Sequence, residues 1–392
     1  MKILYVTHKL FYPVAGGDCI RMSQMLEGLL QLGEVDVMYI AHPGEGGSLR
    51  RGNPAVASEW SLEVGRPRRL ARALSTLFNR RPLLVNLYRY NSFRRRLLSV
   101  AHGYDRVVLG SLGVAHYCVD LKKAGVDVYL DLTDSAAMNL DNEVNMSSGI
   151  RRIWHKINAA RMRRLEIRWR DVCRATAFIS DVDRGYLVGG QGRQVIVGNK
   201  VDLCDRSLIC QHDSYTELLF VGRMDYAPNI LAVKRFVKNV LPRITALRSD
   251  VVFRIVGASP GEEIKRLAVG NRNVVVEGFV DSLDSYYASA SVVVAPMFSG
   301  SGIQNKILQA MAVGCCVVTT PIGAEGLDMD SGAFALARND SELATVCLRL
   351  LADPLLRCVY GLTAREYVAS HFSSDAMASQ ISDFLSAGIP TA

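Results

Sequence analysis

The chain has 392 residues, of which 49% are hydrophobic and 21% are charged, and its formal net charge at pH 7 is +8. This length predicts two or three domains with substantial cores, and the ordinary charged fraction argues against a wholly disordered protein. No apolar run approaches the ~18 residues of a membrane-spanning helix, so we do not expect the chain to be an integral membrane protein.

The charge is divided unevenly along the chain. Residues 1–200 carry 30 Lys and Arg against 18 Asp and Glu, whereas residues 201–392 carry 16 against 20. A basic first half and a slightly acidic second half predict two physically different domains, and an acidic partner for the first of them.

Cysteine usage and the N-terminus indicate the compartment. The nine cysteines are scattered and form no closely spaced pairs, which disfavours zinc sites and disulfide frameworks. The first apolar run is broken by His8 and Lys9, so it is too short for a signal peptide. We therefore expect reduced thiols in a cytoplasmic protein.

Short apolar runs alternate with amphipathic helical patterns in both halves of the chain. The predicted strands are Ile3–Thr7, Val35–Ile40, Arg106–Leu109, Val126–Leu132, Thr176–Ser180, Leu218–Gly222, Val251–Gly257, Val274–Gly278, Ser291–Pro296 and Cys316–Thr319. The clearest predicted helices are Cys19–Leu32, Ile230–Leu247 and Asn305–Ala312. Unbroken apolar runs are typical of strands covered on both faces, which predicts two doubly wound α/β domains.

The boundary between the domains is predicted near Val197–Asp202, where a strand meets a Gly-Asn turn and a polar stretch follows. We therefore expect a first domain over residues 1–198, with a basic, strand-poor insertion at 50–100. A second domain is expected over residues 199–372, and a terminal helix over residues 373–392.

Three segments at the carboxyl ends of predicted strands are candidate anion sites: Gly16–Gly17, Gly222–Arg223 and the Gly-rich loop before Lys306. Ligands of open α/β sheets bind at this edge, and helix N-termini with Arg or Lys nearby suit a diphosphate. Taken alone, the first segment is better explained as an ordinary strand–helix turn, and the second as a surface Arg at a strand end.

The third segment, continued to Pro321, resembles the nucleotide-sugar signature of family 4 glycosyltransferases of the GT-B fold. It is similar in particular to a branch associated with bacterial polysaccharide assembly, with the letters GIQNK at residues 302–306. The resemblance extends over nearly the whole chain through an ordered set of segments: Gly16–Gly17, Asp131–Asp134, Glu166, Phe178–Ser180, Asn199–Asp202 and Gly222–Arg223.

The resemblance implies two Rossmann-like domains facing each other across a cleft, with the donor bound mainly by the second and the terminal helix packed back on the first. It implies retaining transfer of a sugar from a nucleoside-diphosphate sugar to a saccharide or lipid-linked saccharide acceptor. Arg223 and Lys306 would neutralise the diphosphate, so no metal or other cofactor is expected. The implied donor-binding residues are Gly16, Gly17, Gly222, Arg223, Gly278, Gly300, Ser301, Gly302, Ile303, Gln304, Asn305, Lys306 and Gln309.

Asp131 and Asp134 are the candidate catalytic carboxylates of the first domain. Both are expected just past a strand, facing the cleft, where one of them could orient the acceptor hydroxyl or approach the anomeric centre. The alternative for Asp134 is that it caps the helix that follows.

The sequence departs from the family pattern at three places. Pro228 stands where the family has a second clamp Lys, Ser301 and Gln309 replace both glutamates of the EX7E pattern, and Ser111 stands where a His is common. These departures leave two alternatives open: a nucleotide-sugar epimerase or hydrolase on the same fold, and a catalytically weak nucleotide-sugar-binding protein.

The basic insertion interleaves arginines between Arg66 and Arg96 with Leu and Phe residues. This pattern is typical of a helix lying on anionic lipid, so an anionic membrane surface is an expected partner and peripheral attachment to the inner face of the membrane is expected. A merely solvated face is the alternative. Nucleic acid is not an expected partner, because no binding module accompanies the charge.

Overall fold

The computed structural model describes residues 1–12, 17–41, 47–76, 79, 81–203, 216–299 and 302–386. The chain divides into two compact units. Unit 1 comprises Met1–Asn199 and Ser374–Ala392, and unit 2 comprises Lys200–Ser373. Each unit is built on one parallel sheet, so the expected α/β architecture is confirmed.

The sheet of unit 1 has the order β3-β2-β1-β4-β5-β6-β7. Its strands are β1 (Lys2–Thr7), β2 (Glu34–Ala41), β3 (Ser58–Glu63), β4 (Arg106–Leu109), β5 (Val128–Thr133), β6 (Ala175–Phe178) and β7 (Arg193–Ile196). Successive side chains of β1 enter two different cores, with Leu4 and Val6 on one face and Ile3 and Tyr5 on the other. Burial on both faces explains why these strands read as unbroken apolar runs.

The helices of unit 1 up to the boundary cover both faces of this sheet. They are α1 (Gly17–Leu32), α2 (Leu49–Gly52), α3 (Arg66–Ser75), α4 (Leu83–Leu87), α5 (Asn91–Val100), α6 (Leu112–Ala115), α7 (Cys118–Lys123), α8 (Ala136–Met146), α9 (Gly149–Val172) and α10 (Asp181–Tyr186). The described part of the insertion at 50–100 contains the helices α3–α5, most of α2 and the strand β3, which pairs in parallel with β2 at the sheet edge. The sequence did not predict this strand because four of the six residues of Ser58–Glu63 are polar and none is fully buried.

The sheet of unit 2 has the order β10-β9-β8-β11-β12-β13. Its strands are β8 (Glu217–Val221), β9 (Val252–Val256), β10 (Val274–Gly278), β11 (Val292–Ala295), β12 (Val317–Thr319) and β13 (Ala335–Leu336). Its helices are α11 (Ala227–Arg235), continued by a π-helical turn (Phe236–Val240) into α12 (Leu241–Thr245), then α13 (Glu262–Lys265), α14 (Asp284–Ser289), α15 (Asn305–Val313), α16 (Asp340–Ala352) and α17 (Pro354–His371).

In both sheets the strand order reverses beside the first strand of the unit, between β1 and β4 and between β8 and β11. Such a switch point leaves a crevice at the carboxyl ends of the two strands, and ligands of open α/β sheets bind there. The topology therefore defines one candidate binding region in each unit.

The last helix, α18 (Ser374–Ser386), belongs to unit 1. Its Ile381 and Phe384 side chains are fully buried. A Cβ atom placed on Gly28 of α1 would lie 2.2 Å from Ile381 Cδ1, so the glycine is what allows α18 to approach α1. Within the described part of the chain, no helix is both long enough and apolar enough to cross a membrane.

Candidate active site

The switch point of unit 2 brings two of the predicted clamp residues together. Arg223 follows β8, and Lys306 lies in the first turn of α15, after β11. The side chain of Asn229 joins them: Lys306 Nζ donates to Asn229 Oδ1, and Asn229 Nδ2 donates to the Arg223 carbonyl at 2.9 Å. The amide therefore fixes the Lys306 ammonium against the loop that carries Arg223.

Close backbone packing makes room for this amide. A Cβ atom on Gly222 would lie 2.7 Å from Asn229 Nδ2. A Cβ atom on Gly257 would lie 1.8 Å from the Gly222 carbonyl oxygen, so both positions require glycine. Gly222 is thus needed for packing, whatever its contact with a donor.

Lys306 is a largely buried cation. Its Nζ also lies 3.3 Å from Met297 Sδ and 5.3 Å from the ring centre of Phe220. Desolvation lowers the pKa of Lys306 to about 8, and in the part of the chain that the structure describes no carboxylate lies within ion-pair distance of it. A buried cation without a counter-ion favours the arrival of an anion.

Arg223 differs from Lys306 both in its exposure and in its pairing with a carboxylate. Its side chain is exposed, and its Nε and Nη2 donate to the two carboxylate oxygens of Asp225 at 3.0 and 2.6 Å. This hydrogen-bonded pairing raises the pKa of Arg223 and lowers that of Asp225. An exposed pair of this kind is weak, so the guanidinium can exchange Asp225 for a phosphate at little cost.

The predicted loop before α15 is described in part. Gly302 has a φ of +70°, which favours glycine, and its carbonyl accepts from Gln304 Nε2 at 3.1 Å. Ile303 and Gln304 are buried, and Asn305 is the first helical residue. Gly300 and Ser301, like Gly16 of the first predicted anion segment, lie outside the described residues.

The remaining donor-binding candidates are spread over both units. Gln309 is exposed on α15, whereas its neighbours Ile307 and Leu308 are buried. Gly278 ends β10 with a φ of +82°, and its carbonyl accepts from the Gly257 N–H at 2.8 Å. Gly17, in unit 1, is the exposed first residue of α1.

In unit 1, the expectation that Asp131 lies past the strand and faces a cleft is wrong. Asp131 lies inside β5 and is fully buried. Its two oxygens accept from Arg21 Nε and Nη2 at 3.0 and 2.9 Å, and Arg21 Nη1 donates to the carbonyls of Val197 and Gly198 at 2.7 and 2.9 Å. This pair ties α1 to β5 and to the end of the first domain, which makes Asp131 a structural residue.

Asp134 lies nearer the surface, and its Oδ2 accepts from Asn139 Nδ2 at 2.8 Å. The alternative reading, that Asp134 caps the following helix, is wrong: Ser135 is the N-cap of α8 and accepts from the Met138 N–H. Desolvation raises the pKa of Asp134, so the group is held as a more basic carboxylate than an exposed one. Asp134 therefore remains a candidate proton acceptor.

Two further carboxyl groups hold the start of α8. Glu166 accepts from Ser135 Oγ at 2.9 Å and from the Ala136 N–H at 2.8 Å, and burial raises its pKa to about 7. Asp183 accepts from the Ser135 N–H at 3.2 Å, and burial raises its pKa as well. Both are fully buried and serve to position the loop that carries Asp134.

The switch point of unit 1 carries a His–Ser pair. His8 follows β1 and Ser111 follows β4, and His8 Nδ1 lies 2.8 Å from Ser111 Oγ. The ring of Tyr88 packs edge-on against His8 at 5.0 Å. From the sequence, Ser111 stands where the family commonly has a His. In the structure, the imidazole of His8, which follows the neighbouring strand β1, lies beside Ser111.

Residues 215–353, which contain the Arg223–Asn229–Lys306 arrangement, match the model of the family described as group 1 glycosyl transferases. The resemblance to glycosyltransferases is confirmed. An uncharacterized 44.6 kDa protein in the cps region of Klebsiella pneumoniae is 28% identical over 133 residues, 32% of this chain and 34% of its own length. The phosphatidyl-myo-inositol mannosyltransferase of Mycolicibacterium smegmatis is 28% identical over 203 residues, 48% of this chain and 51% of its own length.

The solved structure of Anabaena HepE in complex with UDP aligns over 98% of this chain and 100% of that chain, with a TM-score of 0.67 and 15% identity. HepE has also been solved with UDP-glucose. The chain has the GT-B fold of these glycosyltransferases. The two curated relatives are matched over only about a third to a half of their length.

Proposed function

We propose that this protein is a retaining glycosyltransferase that transfers a sugar from a nucleoside-diphosphate sugar to a saccharide or lipid-linked saccharide in polysaccharide assembly. The observation that carries the proposal is the largely buried Lys306 ammonium, which Asn229 joins to the Arg223 loop and which has no carboxylate of the described residues within ion-pair distance. This arrangement lies at a switch point, within the segment that matches the group 1 glycosyl transferases.

The proposed chemistry follows from where charge develops. As the glycosidic bond breaks, the departing diphosphate gains negative charge, and fixed positive groups aimed at it lower the barrier. Lys306 is desolvated before the donor arrives, so its interaction with the diphosphate is weakened little by water. Arg223 would leave Asp225 and bind the phosphate bidentately.

We extend the proposal to the absence of a metal requirement. Two cations placed on the diphosphate would supply the charge that Mg²⁺ supplies in metal-dependent transferases. Turnover should then survive treatment with EDTA. Loss of turnover with EDTA and recovery with Mg²⁺ or Mn²⁺ would contradict this part alone.

The acceptor is proposed to bind at unit 1, near Asp134 and the His8–Ser111 pair. Asp134 has the raised pKa of a proton acceptor, and the His–Ser pair offers hydrogen bonds to hydroxyl groups. The match to a protein of a cps region supports polysaccharide assembly, and the UDP in HepE supports a uridine donor.

The donor is tested first. The protein is titrated with UDP, GDP and dTDP, and the nucleotide that binds the native state raises its melting temperature. The corresponding sugar nucleotides are then incubated with the protein, with and without a lipid-extract acceptor. Nuclear magnetic resonance of the product distinguishes retention from inversion at the anomeric carbon.

Each outcome selects one function. Transfer to the acceptor supports the proposal, whereas release of free sugar or a changed donor indicates the hydrolase or epimerase. Binding without turnover indicates the weak nucleotide-sugar-binding protein. Arg223→Ala should lower turnover by roughly 10²–10³-fold. Arg272→Ala, an exposed arginine of the same unit, is the matched control and should leave turnover unchanged.

A further inference from the structure

Two neighbouring pockets of unit 1 lie on either side of the short helix α4. The first has a volume of about 260 Å³ and a cationic lining. Its cations are Arg81, Arg89, Lys123 and Arg168. The second has a volume of about 280 Å³ and a mainly apolar lining. Its apolar side chains include Leu83, Leu84, Leu87, Leu140, Trp154 and Met162.

The lining of the first pocket has more positive than negative charge, with four cations against one carboxylate. Among the described residues, none of its four cations forms an ion pair. The carboxylate in its lining, Asp120, is already paired with Arg94 at 2.9 Å. Cations gathered around one pocket repel each other, and a bound anion relieves that repulsion.

His116 forms a buried part of the same wall. It is 6% exposed, and neither ring nitrogen forms a hydrogen bond of good geometry to any residue that the structure describes. Burial, with the nearby Arg89, lowers the pKa of His116 to about 3, so the ring is neutral at pH 7. A neutral ring adds no charge to this wall, so the attraction of the pocket for an anion rests on its four cations.

The second pocket opens onto an exposed apolar stripe of α9. Ile150, Ile153, Trp154 and Ile157 are 88%, 61%, 45% and 47% exposed, at spacings that place them on one helix face. Trp154 belongs both to the stripe and to the pocket lining. Arg151 and Lys156 flank the stripe, which is the composition of a helix that rests on an anionic bilayer.

Consecutive residues before α4 line different pockets, Arg81 the first and Pro82 the second. A helix with its side chains is about 10 Å across, so one amphiphile can reach both pockets. We propose that unit 1 binds an anionic phospholipid here, with its phosphate in the cationic pocket and hydrocarbon in the apolar pocket. The stripe of α9 then lies against the bilayer.

This site differs from the one that the sequence predicted on the 66–96 insertion. The insertion contributes α4 and its flanking residues, among them Arg81 and Arg89, to the two pockets, whereas α9 supplies the apolar stripe and the other pocket cations lie outside the insertion. The lining residues of both pockets all belong to unit 1, whereas the donor chemistry uses residues of unit 2, so either proposal can fail without the other.

The test uses the full chain with sedimented vesicles of phosphatidylcholine, with and without phosphatidylglycerol. Binding should require phosphatidylglycerol and weaken as salt is raised. Each cation near an anionic surface contributes about fivefold to partitioning, so Arg89→Gln with Arg168→Gln should weaken binding by about 25-fold. Arg272→Gln with Arg243→Gln, two exposed arginines of unit 2, is the control and should leave binding unchanged.

The apolar part is tested separately. Ile150→Gln with Ile153→Gln changes two exposed side chains, so the fold is kept while vesicle binding should fall at least tenfold. Leu247→Gln with Val269→Gln, also exposed, is the matched control in unit 2. All variants should keep the nucleotide-induced rise in melting temperature of the parent.

Three results would overturn the proposal. Equal binding to both kinds of vesicle would exclude anionic recognition, and unchanged binding by the Arg89/Arg168 variant would exclude this pocket. The third result is that inorganic phosphate raises the melting temperature of the parent protein but not of the Arg89/Arg168 variant, while vesicles do not bind. The pocket would then be a site for free phosphate and not for lipid.

Discussion

Each unit holds a cation on a helix after one of its switch-point strands, and the two cations have opposite surroundings. Arg21 on α1 is fully buried and uses three nitrogens on Asp131 and two carbonyls. Lys306 on α15 has an amide and a sulfur as neighbours but no described carboxylate in reach. The comparison indicates that a buried cation with its carboxylate completes a fold, whereas one without it prepares a ligand site.

The strongest test removes the carboxylate from the completed pair. Asp131→Ala should lower the free energy of unfolding by about 3–5 kcal/mol, because it leaves Arg21 buried and unpaired. Urea denaturation measures the loss. Asp127→Ala, which breaks the half-exposed pair with Arg174, is the control and should cost at most about 1 kcal/mol. If Asp131→Ala abolished turnover with a stability loss no larger than the control, Asp131 would be catalytic after all.

Glu166 extends the comparison to a buried anion: it is hydrogen-bonded within unit 1, and no cation of the described residues lies within ion-pair distance of it. Its pKa is raised from the usual 4.5 to about 7, so folding favours the protonated form. The stability that this group provides is full below about pH 4.5 and is lost as the pH rises through 7.

Glu166→Gln should remove that pH dependence and be more stable than the parent at pH 8 by up to about 2–3 kcal/mol. Glu63→Gln, an exposed residue, serves as the control. Parallel stability curves for the parent and the Glu166 variant between pH 4.5 and 8 would contradict the assignment.

Lys306→Met tests the second cation of the comparison, which has no described carboxylate in reach. Because burial lowers the pKa of Lys306 to about 8, its charged form costs stability below that pH, and the cost disappears as the pH rises towards 10.5. Lys306→Met should therefore raise the free energy of unfolding at pH 7 by about 1–2 kcal/mol, after subtraction of the lost Asn229 hydrogen bond. The same variant should lose the nucleotide-induced rise in melting temperature. A destabilised variant that still binds nucleotide would show that Lys306 belongs to the core.

The smallest stability effect is expected at Arg223. Its side chain is exposed and its partner Asp225 is exposed too, so Arg223→Ala should leave the melting temperature unchanged while turnover falls. Differential scanning fluorimetry beside the turnover assay provides both numbers. A clear drop in melting temperature would show that Arg223 stabilises the fold.

The sequence predicts what depends on neighbours along the chain. Apolar runs locate most strands to within two residues, and a Gly-rich loop before a helix places Lys306 in the first turn. It does not predict what depends on distant partners. Arg21 and Asp131 are 110 positions apart, so nothing local distinguishes Asp131 from an accessible carboxylate.

Asn229 shows a second kind of failure. Reading the family pattern draws attention to Pro228, a residue that suits the first turn of α11, as a missing cation. The residue after it holds both Arg223 and Lys306, and no spacing rule signals an amide in that role. The His8–Ser111 pair was missed for the same reason, since its members lie on different strands.

The packing of α18 on α1 determines when unit 1 can be completed during synthesis. Ile381 fills a groove that Gly28 opens, but residues 200–373 are synthesised between the first 199 residues of unit 1 and α18. At 5–20 residues per second this interval takes roughly 10–35 s, during which the apolar groove of α1 is uncovered. Unit 1 therefore lacks its last helix while unit 2 is translated. During that time a chaperone can bind at the uncovered groove.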